Sequence, residues 1–488
     1  MKRRSLAVFG ALAVGLGAAG SVDAGPSTAT RPPAPAQQAV AARQYLIIAR
    51  GNALPAGLND RVAAAGGAIT STVPEIGIAV ASSTSPDFAA VIRGVAGIRS
   101  VSSAPNIRRV PDRTVEGVSL EAYGNPPTSG DNDPFFDLQW GHDAVDAPEA
   151  WNEGRRGAGT RVAVLDTGFF TGHPDLAPNI VATASFVPGE TVEWAPDDPA
   201  DRPFSHGTHT AGTVGAADNG RGTIGVAPET DLVLVKVLPD AGCGGDGPIL
   251  AGIVHASGPA DADVINMSLG APLEKRGYLE PGCDPDDPAD DVLMSANDVA
   301  EIRHAYDRAV SYANAQGTTV IASAGNDASD ADHTADLIHL PSDTPGVISI
   351  SATAPIGWAK APATTFLDNL ASYSNFGRSV IEFAAPGGDA EYPGNENCTI
   401  AGLTRPCWVF DLVFSTGGTG WYWSAGTSMA APHAAGVAAL IIGANGGEMK
   451  PSRVERELRR TADRITGAGN SAAYGAGRVD ATDSVEGD

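Results

Sequence analysis

Six short runs constrain this chain more than anything else in it: RVAVLD (161–166), DLVLVKVL (231–238), ADVINMSL (262–269), TTVIASAG (318–325), GVISISAT (346–353) and VIEFAAPG (380–387). Each is continuously apolar, rich in β-branched residues, and closed by small or polar ones. A strand that faces water on one side alternates in polarity, so unbroken apolar runs predict strands buried on both faces. Helical patterns lie between them, near THTAGTVGAA (208–217), along DVAEIRHAYDRAVSYANA (298–315) and from Met429 onward. This alternation predicts an α/β fold, a three-layer parallel sheet with helices on both faces. Ligand sites in such folds collect beyond the carboxyl ends of the strands.

Several of those ends carry reactive groups. Asp166 closes the first run in VAVLDTG, and Asn326 follows VIASAG. His206 lies in FSHGTHTAG at a predicted helix start. Ser428, in GTSMAAPH, opens an uncharged apolar helix that carries Pro432 in its first turn, where a missing N–H costs nothing. Taken singly, each has a plain structural explanation: a capped turn, a polar histidine, a turn asparagine, a cap serine. Together they supply what nucleophilic acyl transfer needs. These are a hydroxyl, a base for its proton, a carboxylate to orient the base, and a donor for the oxyanion.

These four motifs, in the order Asp, His, Asn, Ser, resemble those of the subtilisin-like serine proteases (subtilases) over roughly residues 137–482. QWGHDAVDAPEAW resembles the start of a subtilase catalytic domain and GRVDA its close. The resemblance implies Asp166 as orienting acid, His206 as general base, Ser428 as nucleophile and Asn326 as oxyanion donor. It implies that Ser268, Leu269, Gly270, Ser323, Ala324 and Gly325 bind substrate, paired with it as an added strand. It also implies a monomer acting on peptides or proteins with no cofactor for catalysis. Asp175, in HPDL, matches a family ligand for structural calcium, although DNGRGTI (218–224) departs from the pattern that completes that site. An esterase of the G-x-S-x-G type is disfavoured, because Ala430 holds the last position. An inactive protease-fold binding protein has no support, since all four groups are present. A serine hydrolase acting on esters or short peptides is the other alternative. His209, His173 and His433 read as packing residues, and Asp327 as either a contact for basic side chains or a solvated turn residue. The acidic stretch 271–295 reads as a solvated loop, with calcium binding or shaping of the cleft as the alternatives.

The N-terminal third has its own logic. Lys2, Arg3 and Arg4 precede an apolar Leu6–Ala19 and a small-x-small site at Val22–Ala24, which predicts an export signal over 1–24 and a secreted protein. Residues 25–43 are a Pro- and Ala-rich leader, and 111–136 a polar linker with the expected maturation site. Between them, 44–110 reads strand, helix, strand, helix, strand, and is similar to the inhibitory prodomain of the family. The catalytic domain is expected over 137–488.

Net charge is −25 overall but +7 over residues 1–110, which leaves −32 on the remainder. So acidic a body repels nucleic acid and anionic membranes, and attracts the basic segment that precedes it. Cys243, Cys283, Cys398 and Cys407 allow three pairings, of which Cys398–Cys407 and Cys243–Cys283 are preferred.

Overall fold

The computed structural model describes residues 42–110, 116–118, 132–195, 204–284, 291–465 and 471–482. The export signal, nearly all of the leader, most of the linker and residues 285–290 of the acidic stretch (with Asp286, Asp287 and Asp290) lie outside these.

All six apolar runs form strands of one sheet. Its spatial order is Ile180–Ser185, Asp231–Lys236, Arg161–Asp166, Val264–Met267, Thr319–Ser323, Val347–Ala354, all parallel. Phe383–Pro386 joins Val347–Ala354 in parallel, and the two-residue Asn369–Leu370 pairs with it antiparallel. Successive residues face opposite layers. Val162 and Val164 enter the core beneath the helices His206–Gly215 and Thr427–Ala444; Ala163 and Leu165 enter the one beneath Asp246–Ser257 and Ala296–Gln316. This two-sided burial is the reason the runs show no polar alternation.

Several elements of this domain escape the sequence pattern, among them the strands Ala271–Glu274, Gly277–Glu280 and Val292–Ser295, which bury Leu273 and Met294 inside the stretch read as a solvated loop. Ile180–Ser185 is an edge strand with no fully buried residue, its Val181 half exposed, so it lacks the unbroken apolar run of the others. Asp246–Ser257 is a helix buried nearly all round, so it lacks the amphipathic stripe that marks a surface helix. Among the described residues one helix, Thr427–Ala444, is long and apolar enough to cross a bilayer, but it is buried in the protein core.

The 44–110 segment forms a four-stranded antiparallel sheet in the order Gly67–Val73, Ile78–Ser83, Arg43–Ala49, Ile98–Ser103. Gly67–Val73 is an addition to the expected pattern; its outward residues are exposed, which disguised it as a helix end. One sheet face packs Tyr45, Ile47 and Val101 against Phe88 and Ile92 of its own helix. The other face, Leu46, Ile48, Ile78 and Val80, shares a core with the helices Asp246–Ser257 and Ala296–Gln316. Gly247 allows this approach, since a Cβ there would lie 2.5 Å from Val80 Cγ2. Polar contacts frame the apolar patch. Arg99 pairs with Glu301 at 3.1 Å, Ser100 Oγ donates to Glu301 at 2.7 Å, and Ser103 N–H donates to Asp298 at 2.9 Å. From the other side, Arg308 donates to the carbonyls of Ala49 and Ile76, both at 2.9 Å. Basic-to-acidic attraction is therefore only part of the docking; an arginine of the acidic body caps the end of Arg43–Ala49 and the turn Pro74–Ile76 of the basic unit.

Candidate active site

Asp166 is the last residue of its strand and fully buried. Its carboxylate accepts from its neighbour's N–H (Thr167, 2.7 Å), from Thr210 Oγ1 (3.1 Å) and from His206 Nδ1 (2.7 Å). Three donors offset the cost of burying this charge. His206 is the first residue of its helix, with Ser205 capping it by accepting from Thr208 N–H. One turn on, Thr210 puts its hydroxyl on the same carboxylate, a residue that sequence reasoning passed over. With Nδ1 held by Asp166, His206 Nε2 is buried and has no hydrogen-bond partner.

Ser428 sits in the first turn of its helix, and Ser268, just past the end of the strand beside that of Asp166, is bonded to it twice. Ser268 Oγ donates to the Ser428 carbonyl at 2.7 Å, and the Ser428 hydroxyl donates to the Ser268 carbonyl at 3.2 Å. The expected arrangement, an imidazole between carboxylate and hydroxyl, is thus formed on its carboxylate side; here the hydroxyl donates to the Ser268 carbonyl instead. Catalytic hydrogen bonds of this kind commonly tighten only when substrate is bound. Asn326 lies beyond the next strand, and its Oδ1 accepts from Thr427 N–H at 2.9 Å and Thr427 Oγ1 at 3.0 Å. The first of these, from an N–H that can only donate, fixes which end of the amide is the acceptor and leaves Nδ2 as the donor.

The other residues expected to bind substrate divide. Leu269 is buried in the core and Ser323 in the sheet, whereas Ala324 lines a cavity of about 550 Å³ with Asp327, His339 and Asn375. Gly325, at φ 103°, lets Asn375 and His339 close in; a Cβ there would stand 2.3 Å from Asn375 Nδ2. Gly270 donates its N–H to the carbonyl of Arg109 at 3.1 Å.

That last bond belongs to the tail of the 44–110 unit. After the small sheet the chain runs on as Ile107–Arg108, paired antiparallel with Cys243–Gly244. The N–H groups of Arg109 and Val110 both point to the Gly242 carbonyl, at 2.9 and 3.2 Å. The tail therefore lies as an added strand between 242–244 and Gly270. Gly242 permits it: its φ is 72°, and a Cβ would meet Val110 at 2.9 Å. Further along, Glu116–Val118 pairs with Gly420–Ser424, the strand that leads into the Ser428 helix. The density of glycine in GCGGDG (242–247) was the available signal, since close backbone approach demands it.

His209, His173 and His433 are buried, each with a ring nitrogen against a backbone carbonyl (Tyr422, Gly420, Met429). Burial pushes them down to about 3, 4 and 4, so all are neutral near pH 7. Asp175 does not fit a calcium ligand set, which takes six to eight oxygens. Its Oδ2 instead accepts from Trp421 Nε1 at 2.7 Å and Thr223 N–H at 3.0 Å, and burial pushes the carboxyl up to about 6. Nitrogen donors from the divergent 218–224 loop and from Trp421 stand where oxygen ligands would be needed. Among the described residues, the carboxylates close enough to share a cation are Asp146, Asp463 and Asp480, beside Arg478. The disulfides are Cys243–Cys283 and Cys398–Cys407.

A family model described as the subtilase family matches residues 157–477. M-protease of Shouchella clausii is 35% identical over 70% of this chain and 69% of its own length. Thermitase of Thermoactinomyces vulgaris is 30% identical over 73% of this chain and 99% of its own. The structure of an epidermin leader peptide processing serine protease from Staphylococcus aureus superposes with a TM-score of 0.68. At 22% identity it covers 91% of this chain and 98% of its own, which is a likeness of fold.

Proposed function

The chain belongs to the subtilase family and is a serine endopeptidase, and from that premise we propose how its own residues carry the reaction and how it is made. Ser428 attacks the substrate carbonyl while His206 Nε2 takes its proton. Asp166 holds Nδ1 protonated and stabilises the imidazolium that forms. Negative charge growing on the carbonyl oxygen is met by Asn326 Nδ2 and the Ser428 N–H at the helix start. His206 then gives the proton to the leaving amine, and water, activated the same way, clears the acyl-enzyme. One observation carries this reading: the Asp166–His206 bond at 2.7 Å leaves a buried, unpartnered Nε2 at a sheet end shared with Ser268, which holds Ser428.

The same chain is a secreted zymogen in this proposal. The basic, apolar, small-x-small start and two disulfides support export to an oxidising compartment. Residues 44–110 act as inhibitor and folding template, with the tail in the cleft as a product-like strand. Parallel sheets have high contact order, so a docked template speeds their assembly. The segments held at 107–110 and 116–118 bracket the maturation bond.

The test uses denatured casein and the secreted protein. Hydrolysis blocked by a serine-reactive phosphonate, absent from Ser428→Ala, and a mature N-terminus between residues 111 and 116 are the expected results. Full activity of Ser428→Ala would sink the assignment.

A further inference from the structure

The inserted tail carries a side chain whose burial is unusual. Arg109 is 3% exposed, and its Nη2 lies 2.6 Å from Oδ1 of a fully buried Asp246. Nε donates to the Gly244 carbonyl at 3.2 Å, so the guanidinium is gripped in two directions. Tyr306, fully buried, donates its hydroxyl to the same Asp246 Oδ1 at 2.9 Å. Tyr278 and Glu280, bonded to each other at 2.8 Å, line the cavity beside the tail. Burial alone would lower the Arg109 pKa, but Asp246, then Tyr306, Tyr278 and Glu280, outweigh it and hold the group charged.

Asp246, Tyr306 and Gly244 belong to the catalytic body, whereas Arg109 belongs to the segment that leaves. Asp246 Oδ2 has no hydrogen-bond partner even with the tail in place. Departure of the tail therefore strips a walled-in carboxylate of its cation while its backbone groups at 242–244 and Gly270 are freed for another strand. A buried charge without its partner is costly, and the segment best able to restore the pair is one that presents the same side chain. Lysine is a poorer match: one ammonium cannot reach Gly244 and Asp246 along two directions as a planar guanidinium does.

We infer that Asp246, with Tyr306 and the Gly244 carbonyl, forms a pocket selecting arginine in the substrate segment that precedes the scissile bond. The inference rests on the endopeptidase reading and adds a side-chain class to it.

The experiment profiles the processed wild-type enzyme on internally quenched peptides. Each of the second to fifth positions before the cut is varied among Arg, Lys, citrulline and norleucine. Citrulline keeps the shape of arginine without the charge. At one position, kcat/KM for Arg should exceed that for citrulline at least tenfold and that for Lys severalfold. In Asp246→Asn the Arg-to-citrulline ratio should fall to within twofold. A paired Arg109→Gln, Asp246→Asn chain serves if the single variant does not fold, because it leaves no charge unpaired. Phosphonate-sensitive hydrolysis with no arginine preference at any scanned position overturns the pocket and leaves the endopeptidase reading intact. Absence of any such hydrolysis overturns that reading and the pocket with it.

Discussion

Replacing Arg308 by Met isolates the grip of the body on the N-terminal sheet. The Arg308 guanidinium donates to the carbonyls of Ala49 and Ile76 at 2.9 Å, both part-buried, and to Gly51 at 3.2 Å, which is exposed. Hydrogen bonds from a charged group contribute about 1.5–3 kcal/mol, and partial exposure reduces these two to about 1–1.5 kcal/mol each. The exposed third adds little. The loss is therefore about 2–3 kcal/mol, which at 1.4 kcal/mol per decade weakens binding about 30- to 140-fold. Arg308 lies on the helix Ala296–Gln316, across the sheet from the Ser428 helix, so hydrolysis of a short peptide should not change. The assay is the inhibition constant of a segment spanning residues 42–110 added to processed enzyme, wild type against Arg308→Met. An inhibition constant within threefold of wild type would refute the reasoning and leave the apolar patch as the whole of the attachment.

Other perturbations separate catalysis from stability. Asn326→Ala should lower kcat about 10²- to 10³-fold, a magnitude known from subtilisin itself rather than worked from this geometry, and residual burst kinetics would check it. Breaking Cys398–Cys407 by a double Ala substitution opens a loop with a sequence separation of 9 and should destabilise by about 2.5 kcal/mol in denaturant unfolding of the Ser428→Ala protein. The buried Asp175 carboxyl is raised to about 6, above the ordinary carboxylate range, so the folded state holds its proton more tightly than the unfolded chain. That contribution is full below about pH 4 and lost as pH rises through about 6. Stability of Asp175→Asn relative to wild type should therefore increase across this interval; a flat difference would contradict the burial argument.

Residue pattern alone was enough for the sheet, because a strand covered on both faces leaves an unbroken apolar record, as in RVAVLD and TTVIAS. The four motifs that carry the family resemblance were legible too, since each is local, at a strand end or helix start, and the structure joins Asp166 to His206 as that resemblance implied. Elements that break the simple periodicities were lost: the exposed edge strand Ile180–Ser185, the helix Asp246–Ser257 buried all round, and the strand Gly67–Val73. Thr210 was lost for another reason. Its bond to Asp166 spans 44 residues, and nothing in a threonine distinguishes a partner of a carboxylate from any other helix residue.

The order of letters thus determined the fold class and the family, because local burial and local motifs write those directly. Only tertiary structure decided which residues support them. It put Arg109 against Asp246, 137 residues away, and turned a family calcium position into an acceptor for Trp421, 246 residues on. Pairings of that kind depend on where distant backbones come to lie in space, and no local periodicity records it.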